Sequence, residues 1–304
     1  MTLFETVDAY LKQLKQELRG YDPALIQDAL SDAEEFLRTA LMSAKNESPD
    51  ISEKDALGTI IDKYGTPDEI ASAYKEIESR ISPSLTARAP QRGRSSLLQL
   101  LSIYGDSQAW AAVLYLIFSA VTGIFFGFWT LIGAGLSLVT IFLIIGLPLL
   151  GLYLLSLRGI ALIEGRIIEA LLGIRMPRKP IFIQKGLSLS KKLRALLTES
   201  LTWKIFLYLV TRFPLGLVYS FGLLILMAFA VKFITYPVLA SVFDRGLITL
   251  GEQKYYTSVY LYPVVSLVGF ILLTLTLHLA KHIGKLHGRF AKSMLVRKEP
   301  DNVK

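Results

Sequence analysis

The chain has 304 residues, 33 Lys+Arg against 25 Asp+Glu and no cysteine, which leaves room for two domains and excludes disulfides, thiolate nucleophiles and Cys-ligated zinc. Its net charge of +8 hides a division, because residues 1–80 carry 17 Asp+Glu and 9 Lys+Arg while residues 81–304 carry 8 and 24. The positive charge is interleaved with long apolar segments, as on the cytoplasmic side of a membrane protein, rather than clustered on a soluble domain, so no direct nucleic-acid binding is expected.

The opening MTLFETVDAYLKQLKQELRG has acidic residues where a signal peptide needs a basic stretch and then an apolar one, so export of this part is not expected. Thr2 and Glu5 have capping-box spacing. Val7, Leu11, Leu14 and Leu18 then recur at helical spacing up to Gly20. Asp22-Pro23 starts a second helix of about five turns, with Ile26, Leu30, Ala33, Leu37 and Leu41 on one face and Asp28, Asp32, Glu35 and Arg38 on the opposite, solvated face. After NESPD, Ser52 and Asp55 open a third helix with Ala56, Leu57, Ile60, Ile61 and Tyr64 inward. Gly65 suits a left-handed helix end, and Thr66, Pro67 and Glu69 form a T-x-x-E box opening a fourth helix.

The series YLKQLKQELRGYDPALIQDALSDAEEFLRTAL and DALGTIIDKYGTPDEIASAY resembles the HAAS signalling domain over residues 5–78. The run Tyr64-Gly65-Thr66-Pro67-Asp68-Glu69-Ile70-Ala71 is similar to that family's G-x-P-x-x-[IV]-A turn into the last helix. The resemblance implies a cytoplasmic helical module of a bacterial membrane protein, of a kind often encoded beside a PadR-like transcription factor.

Residues 80–94, RISPSLTARAPQRGR, read as a linker whose four arginines meet anionic headgroups, at about 1 kcal/mol each. Residues 107–157 then run without a charge. At about 1.5 Å per residue such a helix exceeds twice the ~30 Å hydrocarbon core, so two spans are expected, with a turn at Gly133-Ala134-Gly135 and a perturbation at Pro148. Residues 213–231 and 255–277 are also free of charge, and each can cross once. Between the hairpin and these spans, Ile160, Ile163, Ile167, Leu171 and Ile174 alternate with Arg158, Glu164, Arg166, Glu169 and Arg175, which predicts an interfacial helix over 158–180. A second such helix is expected in SKKLRALLTESLTWKIF. Residues 158–204 hold 10 Lys+Arg against 3 Asp+Glu, and the tail from Lys281 holds 7 against 2, so both termini are expected in the cytoplasm.

The early hairpin, the segment from Arg158 through Arg166 to Pro177 and the later pair of spans resemble the four-span sensor domain of bacterial signalling proteins, over residues 100–285. Some of those proteins are fused to histidine kinases. Here about 27 residues follow the last span, so no kinase is expected.

No Walker A, H-E-x-x-H, G-x-S-x-G or EF-hand pattern occurs. His278 and His282 share a helix face, with His287 further on, but lie among Lys281, Lys285 and Arg289 with no carboxylate pair, so a basic helix end is expected rather than a metal site. Arg212 precedes an apolar run and is expected to snorkel to the interface, although an arginine held inside the bilayer would point to function. Arg166 and Glu169, near Glu164, read as an interfacial ion-pair cluster. The outer segment 232–254 offers Asp244, Arg245 and Glu252 as its polar content.

The sequence therefore reads as all-α: a small cytoplasmic helical bundle (1–80), a basic linker (81–106), a four-span membrane domain (107–285) and a basic cytoplasmic tail (286–304). The expected function is a membrane sensor that relays a stimulus to a cytoplasmic regulator, with the bilayer and that regulator as partners and homo-oligomerisation open. No enzymatic activity and no catalytic, cofactor or metal residues are expected. A small transporter or export accessory is the alternative.

Overall fold

The computed structural model describes residues 4–80, 100–140, 146–179, 189–250 and 253–297. They form an all-α protein apart from one two-stranded ribbon. Two compact units divide the chain: Met1–Ser84, Phe128–Val210 and Arg289–Lys304 form the first, and Leu85–Gly127 with Thr211–Gly288 the second.

The first unit contains four short helices, α1 (Val7–Glu17), α2 (Pro23–Glu47), α3 (Glu53–Tyr64) and α4 (Pro67–Arg80). Thr6 caps α1, accepting from the Ala9 amide at 3.2 Å, while the Thr2 box lies outside the described residues. Asp22 accepts from the Ala24 amide at 2.9 Å with Pro23 in the first turn, and Ser52 accepts from the Asp55 amide at 3.1 Å. Each such cap satisfies an amide that has no partner within its helix, worth about 1 kcal/mol. Gly65 has φ +112°, a conformation side chains resist, and the Thr66 amide donates to Glu69 Oε2 at 2.9 Å, one arm of the predicted box. Helix α2 has 25 residues, about seven turns rather than five, and runs past Leu41 into Asn46 and Glu47 of the polar stretch.

Val7, Tyr10, Leu14 and Leu18 pack with Leu25, Ala29, Ala33 and Leu37, and Leu57, Ile60, Ile61 and Ala71 close the core. Each large apolar side chain buried there contributes about 1.5–3 kcal/mol. Tyr10 joins this core because its hydroxyl donates to the Gly65 carbonyl at 2.8 Å. The predicted stripe of α2 holds at Ala33 and Leu37, both buried in the core, but earlier in the helix Leu25 and Ala29 are the covered residues, whereas Ile26 and Leu30 only flank the core. Asp28, expected in solvent, is instead 4% exposed.

The later helices are α5 (Ser107–Thr140), α6 (Gly146–Leu172), α7 (Leu189–Thr198), α8 (Ser200–Phe243) and α9 (Tyr262–Leu295). Among the described residues, four helical segments are long and apolar enough to cross a membrane: Ser107–Thr140, Gly146–Leu172, Ser200–Phe243 and Val259–Leu295. Along α5, Phe118, Val121, Phe125, Phe128, Ile132, Leu136 and Val139 are all exposed. A continuous apolar stripe of this kind suits hydrocarbon and not water.

Several expectations need correction. Helix α5 runs through Gly133-Ala134-Gly135 and is described as far as Thr140. A Cβ on Gly133 would lie 2.5 Å from the Tyr153 ring, so this glycine admits an aromatic neighbour rather than a turn. Pro148 is the third described residue of α6, and the residues before Gly146, on which the perturbation expected at Pro148 turns, lie outside the described residues. No separate interfacial helix covers 158–180: α6 continues to Leu172, burying Arg158, Ile160, Glu164 and Ile168 inside the protein. In the second predicted amphipathic segment Leu193, Leu196 and Leu201 are buried while Trp203 is exposed. Within 232–254, α8 extends to Phe243, and β1 (Ile248–Leu250) pairs antiparallel with β2 (Gln253–Tyr255). Asp244 turns the chain at φ +47° and accepts from Lys254 at 2.9 Å and the Tyr256 hydroxyl at 2.7 Å. Glu252 lies outside the described residues, as does most of the linker.

Candidate functional site

The segment that follows α6 lies against the acidic bundle. Gly173 ends the helix at φ +68°, and the next residues pass over α2 and α4. Arg175 donates through Nη2 to Asp28 Oδ2 at 2.8 Å and through Nε to Glu78 Oε1 at 3.1 Å. The amides of Arg178 and Lys179 both donate to Asp28 Oδ1, at 2.7 and 3.0 Å. The Lys179 ammonium pairs with Asp32, whose other oxygen accepts from the Tyr74 hydroxyl at 2.5 Å. Met176, fully buried, anchors the segment on α6, where a Cβ on Gly165 would stand 3.4 Å from the Met176 Cβ.

The Asp28 side chain is 5% exposed and that of Arg175 11%, so this is a desolvated ion pair reinforced by two backbone donors. Burial pushes the Asp28 carboxyl above the ordinary carboxylate range, against the pull of the Arg178 and Lys179 amides and the Arg175 guanidinium. Glu169, from α6 itself, accepts from Arg178 at 2.7 Å and faces Arg175 at 3.5 Å and Arg166 at 3.2 Å. The predicted Arg166–Glu169 pair exists, but its main work is to gather the arginines of the segment. A second clamp comes from the end of α9: Lys292 pairs with Asp22, and the Arg297 amide donates to Gln27 Oε1 at 2.9 Å. Further along α6, Arg158 pairs with Glu199 and donates to Thr202 at 3.1 Å, and Tyr208 donates to Glu164 at 3.2 Å. An apolar cavity of about 200 Å³ lies among Ala134, Leu150, Leu154, Leu157, Leu197 and Phe206.

In the second unit Arg212 does not snorkel, being 1% exposed. Its guanidinium donates to Ser119 and, at 3.1 Å, to Thr122, and stands 5.0 Å from the centroid of the Tyr115 ring. Burial behind these partners satisfies the charge locally, which removes the need to reach the interface. Small residues permit the contact. A Cβ on Gly216 would fall 2.2 Å from the Ser119 carbonyl oxygen, and one on Gly123 2.8 Å from that of Arg212. The spacing Ser119, Gly123, Gly127 is the small-x-x-x-small pattern of closely packed membrane helices.

Of the histidines, His287 packs between the Tyr115 and Tyr219 rings, each 5.6 Å away. His278 lies 3.3 Å from the Leu100 carbonyl. Among the described residues no three His, Asp or Glu side chains converge on a metal position.

Residues 115–295, more than half of the chain, match the family described as "Putative sensor". The chain belongs to this Sensor family. No curated protein and no solved structure matches it. The matched region of this Sensor-family protein contains the α6 segment with Arg175, the end of α9 with Lys292, the Arg212 cluster and most of the four membrane-capable helices. It is thus a multi-pass membrane protein with a sensor domain. Periodicity alone places Arg175 on an interfacial helix and Asp28 in solvent. The signal that links them is the opposed charge of an acidic α2 and the run Arg175-Met176-Pro177-Arg178-Lys179.

Proposed function

We propose that this protein is a non-enzymatic membrane sensor whose N-terminal bundle reports, to a cytoplasmic regulator, changes of packing among the membrane helices. The observation that carries this reading is that segments leaving α6 and α9 hold the bundle through Arg175, Lys179 and Lys292. A shift of either helix pulls directly on ion pairs of α2. The same contacts support an arrangement with the bundle, the end of α6 and the end of α9 on one side of the bilayer, the side that loop charge assigns to the cytoplasm.

The bundle's resemblance to the HAAS domain supports a PadR-like transcription factor as the regulator. A stimulus acts by binding one packing of the helices better than another, since a ligand indifferent to the two shifts nothing. The test is capture of a purified PadR-like transcription factor by the full chain in nanodiscs, compared with Arg175→Ala. Equal capture by both, or none by either, overturns the relay.

A further inference from the structure

We propose that the face formed by Asp28, Asp32 and Glu78 is a docking site for an arginine-bearing basic segment of a partner protein, and that residues 175–179 of this chain are its built-in competitor. The inference rests on the reading of the bundle as the reporting end, and adds the chemistry of the partner and how access is controlled.

The face recognises a short peptide pattern. One carboxylate, Asp28, takes a guanidinium on one oxygen and two backbone amides, three and four residues further along the peptide, on the other. A second, Asp32, takes an ammonium while the Tyr74 hydroxyl fixes its orientation. Glu78 of α4 flanks the guanidinium. These receptor groups belong to helices held by their own core, and nothing in the geometry requires the peptide to be covalently attached. Attachment only raises its effective concentration, to the millimolar range for a short link, so a free segment competes poorly until the link is withdrawn.

The opposite side of the contact is built for release. Glu169 pairs with Arg178 and Arg175 from α6 itself, so the arginines keep a carboxylate when the segment lifts away. Among the described residues no cation of the bundle pairs with Asp28, Asp32 or Glu78, so its three carboxylates become an open anionic face. That face repels phosphates of lipid or nucleic acid and attracts basic protein, which settles the class of occupant.

The experiment uses the full chain in nanodiscs of neutral phosphatidylcholine and a fluorescein-labelled peptide GIRMPRK, the sequence of residues 173–179, followed by anisotropy. Arg175→Ala in the chain weakens the competitor, and the peptide binds this variant at least tenfold more tightly than the wild type. Adding Asp28→Asn, or separately Asp32→Asn, to that background reverses the gain, as does replacing the peptide's arginine at the position of Arg175 by alanine. Unchanged helical circular dichroism excludes unfolding as the cause. Equal binding to wild type and Arg175→Ala, or binding indifferent to both aspartate changes, overturns the proposal. Those outcomes leave regulator capture as a separate measurement, so a relay without this docking face is distinguishable from the absence of any relay.

Discussion

Removing the Arg175 side chain tests the clasp most directly. Truncating one partner of a buried ion pair costs about 3–5 kcal/mol, because the other charge stays desolvated and alone. Here the Asp28 carboxylate retains the Arg178 and Lys179 amides, and Glu78, about a quarter exposed, recovers solvation. The expected cost of Arg175→Ala to the closed contact is therefore about 2–4 kcal/mol, roughly 30- to 1,000-fold in the opening equilibrium. Asp28→Ala acts by another route, since it removes the acceptor of two part-buried amides and the carboxylate opposite the Arg175 guanidinium, at a cost of about 1–3 kcal/mol. Hydrogen exchange of the Arg178 and Lys179 amides, measured by mass spectrometry on the nanodisc-embedded chain, reads opening in Arg175→Ala, which keeps their Asp28 acceptor, and thermal denaturation compares the two single variants with the double variant. The double variant should fall short of the sum of the singles by at least about 1.5 kcal/mol, whereas independent sites add to within about 0.5. Additive effects, or exchange unchanged by Arg175→Ala, would refute the clasp.

Gly216→Ala forces a Cβ to within 2.2 Å of a backbone oxygen, whereas a Cβ on Gly222 meets nothing within 4 Å. Thermal denaturation followed by fluorescence-detected size exclusion should show a loss of about 1–3 kcal/mol for the first and near neutrality for Gly222→Ala; equal effects would refute close helix packing at Gly216. Burial holds the Tyr64 phenol up to about 12 and raises those of Tyr10 and Tyr74 as well, against about 10 unfolded. A folded value above the unfolded one means that this stability is whole below pH 10 and is lost as pH rises towards 12. Absorbance at 295 nm should therefore show late-ionising tyrosines whose titration coincides with loss of helicity, and titration of every tyrosine near pH 10 would contradict it. Glu69→Ala removes the acceptor of the Thr66 amide and should speed exchange at that amide at a cost of about 1 kcal/mol; unchanged exchange there would show that the cap contributes nothing.

What the sequence determined was local. Capping residues such as Asp22, Ser52 and Glu69 act within one turn, and apolar periodicity needs only a few turns of 3.6 residues to declare a helix, so the bundle helices and the charge-free spans are legible in the sequence. Tertiary structure decided what covers each polar side chain and what each glycine is for. Asp28 is buried because a segment about 150 residues later lies on it, Arg212 because Ser119 and Thr122 receive it, and Gly133 serves inside a helix because its missing side chain leaves room for the Tyr153 ring. Periodicity assigns a residue to a face of its own helix. Only the assembled chain says whether that face meets water, lipid or another segment, and solvation of the charge turns on that answer.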